Sequence, residues 1–262
     1  MKSLLLTFLG CGLILSGCQK PQDQHAETSE EVVALEQEED AQHNQLTTSE
    51  QEAGWKLLFD GQNPDQWRGY QNETFPENGW DVRDGELVVL KTPEGGSGGG
   101  DIITRESYEN FELSLEFVIS DSANSGIFYL AQEQEDTPIW HSAPEYQILD
   151  NQLYLNWTDL DMDMHTHLTA ENYDLQAAEE DHSKPVGEWN HAKIVVNQGH
   201  VEHWINGYKA IEYDINSDTW KQQVAASKFK DYPQYGQAVQ GHIGLQDHGH
   251  QVRFRNIKIK TL

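Results

Sequence analysis

From Gly54 onward, apolar and polar residues alternate with a period of two, and this pattern limits what the chain can become. Phe111-Glu112-Leu113-Ser114-Leu115-Glu116-Phe117 alternates without a break, which places one face of a strand in a core and the other in water. Val201 to Ile205, then Asn206-Gly207, then Tyr208 to Tyr213 reads as a hairpin, because Asn-Gly supplies the two positive φ values of a type I′ turn. Asp84-Gly85 predicts another hairpin within Trp80 to Leu90, and Asn197-Gln198-Gly199 joins a strand at Ala192 to Val196 to the Val201 strand. The C-terminal stretch alternates at Val252/Phe254 and again at Ile257/Ile259, so its phase slips at Asn256 and a β-bulge is expected there. No amphipathic helix of three turns is visible. The short candidates are 170–180 and 218–229. Many strands joined by turn signals predict an all-β sandwich, one domain over 54–262. Gly95 to Gly100 reads as a surface loop, since no Lys-Ser/Thr follows to make it a phosphate loop.

The N-terminal part obeys other rules. Met1-Lys2-Ser3 is a short basic start, and Leu4 to Leu15 is an apolar run too short for an ordinary membrane span. It closes with Leu15-Ser16-Gly17-Cys18, which resembles a bacterial lipobox. That resemblance implies a signal peptide over 1–17, lipidation of Cys18 and a membrane anchor in the cell envelope. Gln19 next to Cys18 favours the outer membrane over the inner. The only other cysteine is Cys11, so no disulfide or thiol nucleophile serves the body. Residues 18–53 are acidic and lack aromatics, and read as a disordered tether. The whole chain carries 17 Lys+Arg against 44 Asp+Glu, a net charge of −27. That balance argues against nucleic acid, which is bound by neutralising phosphates.

Four segments hold residues that can do chemistry. In Glu145-Tyr146-Gln147-Ile148-Leu149-Asp150, Glu145 and Gln147 share one strand face and Tyr146 and Ile148 the other. In Gly241 to His250, Ile243 and Leu245 point one way while His242, Gly244, Gln246 and His248 point the other, with Gly244 expected to leave room between them. His203 is in phase with Val201 and Ile205, which predicts a buried, hydrogen-bonded imidazole. Trp204 then faces away, where its ring can stack on a sugar if that side is concave. Asp161-Met162-Asp163-Met164-His165-Thr166-His167, in the long connection 151–189, carries oxygen and imidazole donors for a divalent ion. A retaining glycosidase pair on one strand needs acids at i and i+4, about 5 Å apart at their carboxyl groups. Position 149 is Leu and position 147 is Gln, so this strand offers one carboxylate and not two.

Gly54-Trp55-Lys56-Leu57-Leu58-Phe59-Asp60-Gly61, Asp101 to Phe117, Asn124-Ser125-Gly126-Ile127-Phe128, Glu145 to Asp150, Gly187-Glu188-Trp189-Asn190, Val201 to Gly207 and Gly241 to Gly249 followed by Phe254-Arg255-Asn256-Ile257 together resemble the 3-keto-disaccharide hydrolase family. The resemblance implies a concanavalin A-like jelly-roll sandwich, a carbohydrate substrate and an envelope location. It also implies glycosides already oxidised at C3, cleaved by C2 proton abstraction, elimination and hydration. On it rest the expectations of Glu145 as base, with His248 and His203 as further catalytic residues. Gln147, Asp150, Trp204, Gln246 and His242 would hold the sugar. One divalent ion at Gln246, His248 and His203 is the expected cofactor, and no organic cofactor is implied. A noncatalytic lectin-like module is the competing reading, since this fold serves binding as readily as catalysis.

Overall fold

The computed structural model describes residues 43–93, 98–157 and 164–262. Its strands are β1 (Trp55–Leu57), β2 (Trp67–Gly69), β3 (Trp80–Arg83), β4 (Glu86–Val89), β5 (Ile102–Thr104), β6 (Phe111–Ile119) and β7 (Asn124–Ala131). They continue with β8 (Glu145–Leu149), β9 (Asn190–Asn197), β10 (His200–Ile205), β11 (Tyr208–Asp214), β12 (His242–Leu245) and β13 (Val252–Thr261). Among the described residues, three short α-helices, α1 (Thr48–Glu52), α2 (Asn151–Leu155) and α3 (Asp218–Ala226), accompany them.

All strand pairs are antiparallel and form two sheets. One has eight strands in the order β11-β10-β9-β6-β13-β4-β3, with β1 also paired to β13; the other has five, in the order β2-β5-β12-β7-β8. Phe111, Leu113, Leu115 and Phe117 of β6 face Ile127, Tyr129, Tyr146 and Ile148 of the smaller sheet in one apolar core. The chain is thus an all-β jelly-roll sandwich. Asn206 (φ 50°) and Gly207 (φ 86°) close the β10–β11 hairpin, and Asp84 and Gly85 close β3–β4 in the same left-handed region. The phase slip in β13 is a register shift between Arg255 and Lys258 against β6, with Asn256 at φ 52°.

Two local expectations change. Residues 170–180 do not form a helix, because Ala170 (φ 72°) and Asp174 (φ 62°) are left-handed. The segment instead makes bridges from Asn172 to Tyr146 and Gln176. Residues 43–53, expected as part of the tether, also pack onto β13. Thr47 and Glu50 cap α1 reciprocally, and Glu50 pairs with Lys258. Asn44, 6% exposed, locks onto the β13 bulge. Its N–H donates to Asn256 Oδ1 (2.6 Å), its Oδ1 accepts from Asn256 N (2.8 Å), and its Nδ2 donates to the Gly85 carbonyl (2.8 Å). Asn44→Ala removes two of these bonds and strands their partners, which we expect to cost about 1–3 kcal/mol of stability in denaturant titration; an unchanged midpoint would contradict the clamp.

Candidate active site

The outer face of the five-stranded sheet carries the chemistry. Along β7, Ile127 and Tyr129 enter the core, so Asn124, Gly126 and Phe128 face outward. On β8, Tyr146 and Ile148 are core residues, which turns Glu145 and Gln147 outward beside them. Gln246 and His248 follow β12 onto the same face. Trp140, from the turn after β7, Tyr173, from the long connection, and Lys228, just beyond α3, complete the wall. These groups line a cavity of about 260 Å³.

Glu145 is 5% exposed. Its side chain lies across Gly126, where a Cβ would come within 2.1 Å of Glu145 Oε1. A glycine inside a strand marks a close approach of this kind. Burial pushes the Glu145 carboxyl up to about 8; the Lys228 charge works against that and the Asp101 charge adds to it. Asp101 is a second carboxyl with a raised pKa, about 7, again chiefly from burial, although it accepts from Asp247 N (3.0 Å). Gln147 Nε2 donates to Asn124 Oδ1 at 3.2 Å. The buried Oε1 atoms of Gln147 and Gln246 have no partner in the protein. A buried acceptor left unmade is costly, and two on one cavity wall suit a ligand that brings hydroxyl donors.

The structure therefore brings Glu145, Gln147, Gln246 and His248 together and places the other expected residues elsewhere. His203 is fully buried between the sheets. Its Nδ1–H donates to the Ala170 carbonyl (3.0 Å) and its Nε2 accepts from Tyr129 OH (2.8 Å). Burial holds it down to about 3, so it stays neutral. With both ring nitrogens engaged in the core, it reaches neither substrate nor ion. Trp204 sits on the outward face of β10, in the other sheet. Lys193 Nζ covers its ring at 4.0 Å, and its Nε1 donates to Glu202 (2.8 Å). Asp150 caps α2, accepting from Leu153 N (3.1 Å) and Ser122 N (3.0 Å). His242 donates from Nδ1 to the Thr104 carbonyl (2.7 Å), and a register shift between His242 and Gly244 takes it out of the Gln246 row. The space over Gly244 is not open, because a Cβ there would meet Ile139 Cδ1 at 2.7 Å.

Of the three expected ion ligands, Gln246 and His248 remain on the cavity wall. Cys11, Cys18 and Asp161 to Asp163 lie outside the described residues, as do residues 95–97 of the 95–100 loop; His167 Nε2 lies 3.3 Å from Asp174. Among the described residues, His200, Glu202 and Glu212 form a metal-like cluster, but Lys209 Nζ already bridges the two carboxylates at 2.8 and 2.6 Å. No described helix is long and apolar enough to cross a membrane.

Comparison with known proteins bears on what such a cavity does. The profile of the 3-keto-alpha-glucoside-1,2-lyase-like domain matches residues 54–260. The chain belongs to this family. A 3-keto-disaccharide hydrolase from Bacteroides thetaiotaomicron is 38% identical over 233 residues, covering 80% of this chain and 79% of that protein. Among solved structures, a candidate glycosyl hydrolase from Parabacteroides distasonis superposes with a TM-score of 0.75 at 32% identity, over 84% of this chain and 100% of that one. Another from the same organism gives 0.58 at 29% identity, over 79% and 99%. The family match begins at Gly54 and so leaves out the α1 segment that the structure packs against β13.

Proposed function

We propose that this glycoside-cleaving member of the family acts on sugars already oxidised to a ketone at C3, with Glu145 as the base. The reading rests on one observation above all: a single buried carboxyl, raised to about 8, stands in a cavity whose wall holds two unpartnered amide oxygens. A lone carboxylate does not suit double displacement, which needs a second acid at close range. It does suit removal of a C2 hydrogen made acidic by the neighbouring ketone. A base whose pKa lies near the working pH is the most effective kind, worth about 10²–10⁴-fold. The C2 proton moves to Glu145, and the C–H pair forms a C2=C3 bond as the C3 carbonyl pair moves onto oxygen. As the C3 carbonyl reforms, the C2=C3 pair becomes a C1=C2 bond and the C1–O bond breaks, the departing glycosidic oxygen taking up a proton. Water then adds at C1, and this hydration of C1=C2 returns a proton to C2.

Gln147 and Gln246 accept hydrogen bonds from the sugar hydroxyls, His248 contacts the same ring, and Trp140 supplies an apolar wall. A divalent ion would be held by Gln246 Oε1 and His248 and would supply Lewis-acid stabilisation of the enolate. The N-terminal sequence supports a lipid anchor at Cys18 in the bacterial envelope, most consistent with the outer membrane. The test is wild-type turnover of a chromogenic 3-keto-glucoside beside its unoxidised parent, with and without chelator. Release from the keto substrate alone is expected. Equal release from both substrates, or sugar binding with no turnover, overturns the elimination reading, and the second outcome favours a binding module.

A further inference from the structure

We propose that Lys228 is the oxyanion-stabilising catalytic residue, its ammonium group placed to receive the charge that develops on the C3 oxygen. The inference rests on the elimination reading above and names the group that this reading leaves unassigned.

Removing a proton beside a ketone creates an anion on oxygen, and the site must meet it with a donor aimed at that oxygen. Most of the cavity wall is unsuited to this. Gln147 and Gln246 present Oε1 acceptors and uncharged amide donors, one of the two Gln147 amide hydrogens being engaged by Asn124. Glu145 takes the proton. Asn124 and Tyr173 offer uncharged donors only. Lys228 alone among the lining residues carries a standing positive charge.

Its surroundings keep that charge available. Among the described residues, no carboxylate lies within ion-pair distance of Lys228 Nζ. The ammonium is instead held over aromatic faces, 4.2 Å from the Tyr173 ring centroid, 5.0 Å from Trp140 and 5.2 Å from Phe229. Such contacts position a cation without neutralising it. The Lys228 backbone is fixed as well. Its N–H donates to Asp174 Oδ2 (3.0 Å), and Ser227 caps the turn that it opens. Lys228 is an exposed residue with its ammonium on the cavity wall, and among the described residues it stays without a carboxylate partner in a chain with 44 acids and 17 bases. Its charge thus shares the cavity wall with the one deeply buried acid there and is open to a bound oxyanion. Burial lowers its pKa, while the Glu145 and Asp174 charges hold it up.

The experiment separates enolate formation from bond cleavage. A 3-keto-1,5-anhydroglucitol has the ketone and the C2 hydrogen but no leaving group at C1. In D2O, exchange of its C2 hydrogen, followed by NMR, reports enolate formation alone. Wild type should catalyse this exchange and also cleave a chromogenic 3-keto-glucoside. Lys228→Met should slow both by about 10²–10³-fold, as expected for loss of one aimed donor, with KM changed little. Lys228→Arg should recover part of each rate. The thermal midpoint of Lys228→Met should stay at or above that of wild type, which removes unfolding as a cause. If Lys228→Met exchanges as fast as wild type, the proposal fails, even if cleavage is slow. If wild type neither exchanges nor cleaves, the elimination reading fails and the role of Lys228 falls with it. If exchange survives in Lys228→Met but is abolished by chelator, the ion meets the oxyanion and the lysine does not.

Discussion

Glu145→Gln should lower kcat/KM on a 3-keto-glucoside by about 10²–10⁴-fold and raise the thermal midpoint at the same time. Both effects come from the same burial. The amide keeps the shape of the carboxyl and its place across Gly126 but cannot take a proton. The folded-state pKa of Glu145, about 8, lies above its ordinary value of 4.5. The folded protein therefore holds the proton more tightly than the unfolded chain between these values. Stability from this group is fully present below about 4.5 and is lost as pH rises through 8. The neutral amide carries no such penalty, so the midpoint difference between variant and wild type should widen from pH 5 to pH 8. Wild-type kcat/KM should climb with pH over the same window and level off above about 8, because only the ionised carboxyl is a base. Activity equal to wild type in Glu145→Gln would remove Glu145 as the base. A flat pH profile would contradict its raised pKa.

Gly126→Ala should cost about 10²-fold in kcat through position alone, the usual consequence of moving a reacting group by an ångström. The added methyl would stand 2.1 Å from Glu145 Oε1 and 2.8 Å from its Cδ and Cγ, so the whole side chain must shift. Gly126 is absent from the residues at positive φ, and its backbone accepts alanine. The strand should therefore form normally, with far-ultraviolet circular dichroism unchanged while turnover falls. Wild-type turnover in Gly126→Ala would show that Glu145 has room to act from elsewhere.

Much of this molecule was legible in the sequence because strand geometry is local. Alternation in β6, the Asn206-Gly207 and Asp84-Gly85 turns and the slip at Asn256 each depend on a few adjacent residues, and all appear in the structure. The same rule put Glu145 and Gln147 on one face and His203 on the buried side of β10. Acidic residues 43–53 resisted reading because their order comes from contacts with Asn256 and Lys258, more than 200 positions away in the chain.

A period of two reports which side of its own strand a residue occupies, but not which of two sheets the strand joins. Trp204 and Gln147 were both outward residues in sequence, yet one lies on the outer face of the eight-stranded sheet and the other in the cavity. Asp150 and His242 likewise sit near the right strands but are taken by a helix cap and a register shift. Lys228, Tyr173 and Trp140 left no periodic trace, since each comes from an irregular segment that only the folded chain brings to Glu145. Sequence alone thus determined the class of fold, the family and the one carboxylate of β8. The tertiary structure decided which side chains share the cavity with it, because burial and charge, unlike strand phase, depend on neighbours distant in the chain.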